Sequence, residues 1–376
     1  MLLEKLIFQK SRKAAASIPQ IFDLAKPADR KKVNQLLKSR RIAEVVDDYE
    51  EQLREYFAIE NPPLYFAPDF EKRFKTSAAA LAKKKPLWQQ GKWVYFPWLC
   101  ALAHILEHNA FFTVRTARNR NLITAEEQKK FYDAVVGIAG LSVGNSIALA
   151  MALEGGGRRM RLVDHDRLAL SNTNRIRSGI QSLGLAKIEM TARQIYELNP
   201  YAKLDFLPDG LNEKNIEKFF AGPPKLDVVI DEIDNLPMKY LIRQYAQKYR
   251  IPVVMATDNG DNGLVDIERY DINPDTAFFH GRMGERITYQ ELAGLDKFAA
   301  GAKIAQFVGL DIVPQRMIAS LKEIGKTIVS WPQLGVAALL NGSAVAYCVR
   351  KIVNGEPLAN NRAFISLDDA FTPRHY

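Results

Sequence analysis

Apolar and polar positions alternate along this chain in two styles, and the change comes near residue 131. Over residues 29–57, Val33, Leu36, Leu37, Val45, Val46, Tyr49, Leu53, Tyr56 and Phe57 recur mostly at steps of three or four. That period predicts an amphipathic helix, and Asn61-Pro62-Pro63 predicts its end. Trp93–Trp98 reads as a short strand stopped by Pro97, and Leu99 to Leu106 as a further helix. The pattern predicts a small α+β module over residues 1–112.

From about residue 131 strands and helices alternate. Ala134–Ile138, Arg161–Val163, Leu226–Ile230 and Pro252–Met255 read as short apolar strands. Ser146–Leu153, Lys187–Leu198 and Met238–Tyr249 read as helices between them. This order predicts an α/β fold over 113–376: a Rossmann-like, doubly wound, mostly parallel sheet. Leu334–Ile352 predicts one more helix, broken near Asn341-Gly342. Ala134 to Leu153 carries no charge and is about long enough to span a bilayer. Gly137, Gly140, Ser142, Gly144, Asn145 and Ser146 in its middle predict a strand, a turn and a helix instead, so no membrane span is expected.

Composition narrows the class. The 376 residues are 47% hydrophobic and 25% charged, which excludes a disordered or collagen-like chain. The two cysteines, Cys100 and Cys348, cannot form a paired-cysteine zinc site; each is expected to pack in a core. No signal peptide is expected at the N-terminus, and a cytoplasmic place fits. The net charge of +9 is unevenly spread: residues 1–120 hold 22 basic and 13 acidic side chains, and residues 121–376 hold 30 of each. A basic module permits nucleic acid as a partner, but its short runs are not interleaved with aromatics, and a solvated surface is the favoured reading.

Four features carry candidate chemistry. Gly137-Ile-Ala-Gly140-Leu-Ser-Val-Gly144 lies between a strand and a helix, where a glycine turn and free helix N–H groups suit a phosphate; a tight packing turn is the alternative. Asp164 ends the next strand, 20 residues after Gly144, a spacing that suits ribose hydroxyls; a strand-end cap is the alternative. Ser171-Asn-Thr-Asn-Arg175 and then Lys187 offer a planar donor fork and a point charge, which suit a triphosphate unless they are surface residues. Asp231-Glu-Ile-Asp234-Asn235 follows an apolar strand, so carboxylates face the ligand crevice and suit Mg2+; Asp234 as a helix N-cap is the alternative.

As a set, Val163-Asp-His-Asp166, Leu170-Ser-Asn-Thr-Asn-Arg175, Gly184-Leu-Ala-Lys187, Leu198-Asn-Pro200 and Val229-Ile-Asp-Glu-Ile-Asp-Asn235 resemble the ThiF/MoeB/HesA family of adenylyltransferases, relatives of ubiquitin-activating enzymes. Ala117-Arg-Asn-Arg120 looks like the family's arginine segment upstream of the nucleotide fold. The Gly140–Gly144 form, the Trp93–Trp98 block and Ser330-Trp-Pro-Gln333 resemble a bacterial ThiF subgroup. The resemblance implies ATP and Mg2+ at a site where Gly137, Gly140, Gly144, Asp164, Asp166 and Asn172 hold nucleotide. It implies that Arg175 and Lys187 contact phosphates, that Asp234 holds Mg2+, and that Arg120 reaches the triphosphate of the neighbouring subunit in a homodimer. The implied reaction is attack of a substrate carboxylate on the α-phosphate, and the implied substrate is the C-terminus of a ubiquitin-like or carrier protein, a peptide, a small acid or a modified-tRNA carboxylate.

The chain also departs from that pattern. The family's glycine turn is altered, with Asn145 where a glycine is usual. No Cys-x-x-Cys pair is present, and no cysteine lies between Ala101 and Tyr347. Adenylation without an enzyme thioester is therefore expected. Two other readings remain: a nucleotide-binding scaffold that has lost catalysis, and an NAD-dependent oxidoreductase, which leaves Arg175, Lys187 and Asp234 unexplained. His104 and His108 have helical spacing but no evident third metal ligand, His165 sits at the nucleotide edge, and His280 and His375 carry no signal.

Overall fold

The computed structural model describes residues 17–284 and 287–372. The N-terminal residues, with the reading of no signal peptide, and His375 lie outside the described residues. The chain folds as two compact units. The first runs to Thr124 and includes Tyr196–Tyr201; the second comprises Ala125–Ile195 and the chain from Ala202 onward.

The first unit has the element order β1 (Gln20–Phe22), α1 (Pro27–Lys38), β2 (Glu44–Asp47), α2 (Tyr49–Glu60), α3 (Phe70–Lys84), β3 (Lys92–Phe96), β4 (Ala101–Ile105) and α4 (His108–Arg115). Its sheet order is β1-β3-β4-β2, with β3 antiparallel to both β1 and β4 and β2 parallel to β4. Two expectations are corrected here. The helix expected over 29–57 is two helices with a strand between them. Arg40 takes a left-handed conformation (φ 53°) that ends α1, and the β-branched pair Val45-Val46 then lies beside Leu102 and Ala103. The segment Leu99 to Leu106 is a strand, not a helix. It pairs with β3 in the register Trp93↔His104 and Tyr95↔Leu102, and a short apolar run fits either structure until a partner strand decides. The core gathers Phe22, Val33, Trp93, Tyr95 and Leu102. His104 is stacked between Tyr49 and Trp93 at centroid distances of 4.0 and 4.3 Å. Its Nδ1 meets the Asp47 carboxylate and its Nε2 the Gln90 carbonyl, both at 2.8 Å, so both ring nitrogens are engaged.

The second unit opens with α5 (Ala125–Asp133) and continues β5 (Val135–Ala139), α6 (Val143–Leu153), β6 (Arg159–Val163), α7 (Lys187–Leu198), β7 (Lys203–Leu207), α8 (Ile216–Ala221), β8 (Val228–Asp231), α9 (Leu236–Tyr249), β9 (Val253–Asn259) and β10 (Asn262–Glu268). After several short helices it closes with α10 (Gly335–Val353) and β11 (Arg362–Ile365). The seven-stranded order is β11-β10-β9-β8-β5-β6-β7. Strands β9, β8, β5, β6 and β7 are parallel, and β10 and β11 add an antiparallel edge. The expected Rossmann-like, mostly parallel sheet is thus present. β5 lies between β6 and β8, so the crevice of this sheet opens at the C-terminal ends of those strands.

α10 is unbroken, contrary to the break expected at Asn341-Gly342. Gly342 lies against α6, where an added Cβ would stand 2.8 Å from Ser146 Cβ. The glycine serves close helix approach rather than helix termination. Among the described residues α10 is the one helix long and apolar enough, by length and composition, to cross a membrane; one face of it is buried in this fold. Beneath the sheet Arg243 of α9 is fully buried. It pairs with Asp231 and with Glu268 (2.9 Å), and its guanidinium lies 4.2 Å from the centre of the Phe279 ring.

Candidate active site

The site is assembled at the ends of β5, β6 and β8. Gly140 follows β5 with φ 92°, where an added Cβ would stand 2.3 Å from the Glu232 carbonyl oxygen. This glycine lets the loop after β5 touch the loop after β8. Gly140→Ala is expected to cost roughly 2–4 kcal/mol from left-handed strain plus a backbone clash; a urea midpoint equal to wild type would refute this.

The other two glycines have packing tasks. Gly137 lies inside β5, where a Cβ would collide with Leu226 and Phe219, so the expectation that it cradles nucleotide is corrected: it packs in the core, short of the strand end at Ala139. Gly144, in the first turn of α6, makes room for Ile138. What faces the crevice is the start of α6. Ser142 is its N-cap residue but makes no side-chain cap bond. A helix start carries free N–H donors and partial positive charge, and these stand without a side-chain cap here.

Asp164 is buried at the end of β6. One carboxylate oxygen accepts from Leu141 N–H and the other from Asp166 N–H, both at 2.7 Å. It therefore ties the glycine turn to the next loop, and each oxygen keeps a lone pair for a further donor. Asp166 accepts from Lys187 Nζ at 2.8 Å. That bond outweighs burial and holds the Asp166 carboxyl below its ordinary pKa. His165 is exposed, with Nε2 3.5 Å from Asp166. Asn172 spends its carbonyl oxygen on Ala169 N–H at 3.0 Å, which shapes the loop that carries Arg175.

Arg175 reaches the glycine turn. Its Nε donates to Ser142 Oγ at 3.2 Å, and its Nη1 to Asn174 Oδ1 at 3.0 Å and to the Ser171 carbonyl at 3.3 Å. Burial lowers its pKa, and the carboxylates of Asp258 and Asp234 oppose that shift, so three charged groups converge here. Asp234 is exposed, and among the described residues it makes no hydrogen bond or ion pair. The cap of α9 is Asn235, whose Oδ1 accepts from Met238 N–H at 2.9 Å, so Asp234 is free of that duty. Asp231 is not: it is fully buried against Arg243 and Lys239, and the expectation that it faces the crevice is corrected. Asp234 fits a hard cation as a single carboxylate shared with phosphates.

Arg120 belongs to the first unit. Its Nη1 donates to the Ile59 carbonyl at 3.3 Å, and its Nη2 stands 3.6 Å from Glu60. Sequence reasoning gave no site role to Asp258, Gln333 and Asn341, which meet through hydrogen bonds to the Asp258 carboxylate. Gln333 ends the Ser330-Trp-Pro-Gln333 string, but nothing local ties it to Asp258.

The thiols divide cleanly. Cys348 is buried in α10, and burial pushes its thiol up to about 11. Cys100 was expected in a core, yet it is exposed in a left-handed turn between β3 and β4 (φ 53°). A chromogenic disulfide reagent at pH 7.5 is expected to titrate one thiol per native chain and two after denaturation. Rapid native reaction at Cys348 would contradict its burial.

A sequence model of the ThiF family matches residues 116–365. The chain belongs to the ThiF family. Among its relatives is the uncharacterized protein MT1398 of Mycobacterium tuberculosis, 37% identical over 312 residues, covering 82% of this chain and 43% of that protein. The tRNA threonylcarbamoyladenosine dehydratase of Escherichia coli is 34% identical over 133 residues, covering 35% of this chain and 47% of that protein. The match therefore spans less than half the length of either relative. Among solved structures, E. coli MccB with ATP aligns at a TM-score of 0.49 with 16% identity, covering 70% of this chain and 77% of that one. The ThiF motifs named above fall in the second unit, apart from the Trp93–Trp98 block, the Ala117–Arg120 segment and the Leu198–Pro200 turn.

Proposed function

We propose that this ThiF-family chain is an ATP-dependent adenylyltransferase that activates a substrate carboxylate as an acyl adenylate. The observation that carries the reading is Arg175, held beside Ser142 at the uncapped start of α6, with an exposed Asp234 whose charge acts on it. A dinucleotide's pyrophosphate uses the helix start and the arginine but gives Asp234 no role; a triphosphate with a divalent cation uses all three.

In this reading Asp164 receives the ribose hydroxyls and the first turn of α6 faces the phosphates. Arg175 and Lys187 neutralise phosphate charge, and Lys187 exchanges its Asp166 partner for phosphate. Bound Mg2+, with Asp234 among its ligands, would supply further charge neutralisation. The substrate carboxylate is already ionised at neutral pH, so no general base is needed. One carboxylate oxygen forms a bond to the α-phosphorus as the bond to the bridging oxygen breaks, and pyrophosphate leaves with that electron pair. The chain's contribution is alignment and electrostatic stabilisation. A course without an enzyme thioester belongs to this reading: Cys348 is buried, and the exposed Cys100 lies in the first unit, outside the nucleotide motifs. The substrate class is a carboxylate-bearing peptide, carrier protein or small acid. Arg120 acting across a homodimer and a cytoplasmic location belong to the same proposal.

The altered glycine turn, with buried Asn145 bonded to Thr191 and Gln194, favours one second reading, a nucleotide-binding scaffold. The deciding experiment is calorimetric titration with ATP plus Mg2+ and separately with NADH, using Asp234→Ala as control. Mg2+-dependent ATP binding that weakens in the variant is expected, followed by carboxylate-dependent pyrophosphate exchange. ATP binding without exchange for any carboxylate tried points to the scaffold. NADH binding unaffected by Asp234 sinks the adenylation reading.

A further inference from the structure

One buried carboxylate beside the site has no part in the scheme above. Asp258 lies near the end of β9, 3% exposed. Its Oδ1 accepts from Asn341 Nδ2 at 2.8 Å and its Oδ2 from Gln333 Nε2 at 3.2 Å. Gln333 is held by its main chain as well, where its backbone carbonyl accepts from Asn174 Nδ2 at 2.8 Å. Asn174 Oδ1 in turn accepts from Arg175 Nη1, and Arg175 Nε reaches Ser142. Gly335 seals the contact: an added Cβ would stand 2.6 Å from the Asn174 carbonyl oxygen. The backbone around Gln333–Gly335 thus lies directly on the loop that carries Arg175.

Anchoring α10 to β9 needs only the Asn341 bond, and a neutral group would serve. Burial raises the Asp258 pKa; the hydrogen bonds from Asn341 and Gln333 oppose that shift, and the Arg175 guanidinium adds a smaller opposing pull. We propose that Asp258 is a positioning residue for Arg175, acting through Gln333 and Asn174 to fix the guanidinium beside Ser142 at the start of α6. This rests on the reading of Arg175 as a phosphate contact.

The test is a double-mutant cycle on the full chain, read as ATP affinity in the presence of Mg2+. Asp258→Ala is expected to weaken binding about 10-fold, and the Asp258→Ala/Arg175→Ala double variant to bind no more weakly than Arg175→Ala alone. Losses that multiply in the double variant overturn the proposal, because a purely structural aspartate acts independently of Arg175. If Asp258→Ala does not fold, the isosteric Asp258→Asn takes its place with the same expectations. A second readout needs no nucleotide: hydrogen exchange of peptides covering residues 170–176. Faster exchange is expected there in Asp258→Asn and in Gln333→Ala, and wild-type protection in both overturns the coupling. A wild-type chain that binds no ATP sinks the functional reading alone and leaves the exchange test in force.

Discussion

Arg175→Ala is expected to lower carboxylate-dependent pyrophosphate exchange by about 10²–10³-fold while shifting the unfolding midpoint little. The partners of this guanidinium are Ser142, Asn174 and the Ser171 carbonyl, neutral groups that water can satisfy once the side chain is gone. Its place at the start of α6 matters only when a polyanion occupies the crevice. The loss should therefore fall on ATP binding and turnover rather than on folding. Arg175→Lys keeps the charge but not the planar fork, and should recover only part of the rate. Exchange above a tenth of wild type in Arg175→Ala would remove this residue from the reaction. A collapse of thermal stability would instead make it structural.

Arg243→Met should have the largest effect on folding, roughly 3–5 kcal/mol, a large share of the total stability of an ordinary domain. Arg243 is fully buried between Asp231 and Glu268. Removing the cation leaves Glu268 unanswered and Asp231 with Lys239 alone, at 3.2 Å. Urea denaturation checks the magnitude, and a loss under 1 kcal/mol would refute it. Acid provides a second check. Burial would raise the Asp231 pKa, but Lys239 and Arg243 outweigh it, and the folded-state value is lowered. Stability from this carboxylate is therefore full above the unfolded carboxylate pKa, about 4, and is lost as pH falls through the lower folded value. Asp231→Asn should flatten the acid limb of the stability curve; an unchanged acid limb would count against the pairing.

The parallel core of the sheet was legible because its strands are short apolar runs ending in functional turns, and α7 was legible from its amphipathic period. The ThiF motifs were legible as local strings. β10 was not. All seven of its residues are buried, yet they include Asp266 and Glu268, which read as surface until Arg362 and Arg243 are seen to answer them. The meeting of Asp258 with Gln333 and Asn341 was hidden for a related reason. They stand 75 and 83 residues apart in the pairs they form, and no periodicity spans such distances. The helix expected at Leu99–Leu106 failed because pairing, not propensity, decides a short apolar run.

The stack of Trp93 on His104 also has an optical consequence. Three of the four tryptophans, Trp88, Trp93 and Trp98, lie in the first unit, and Trp331 lies in the second. Indole emission therefore weights the loss of the small sheet, whereas far-ultraviolet ellipticity weights the larger unit with its many helices. Denaturation curves that coincide by both signals would mark the two units as one cooperative whole, and separated curves would give each unit its own transition and its own free energy.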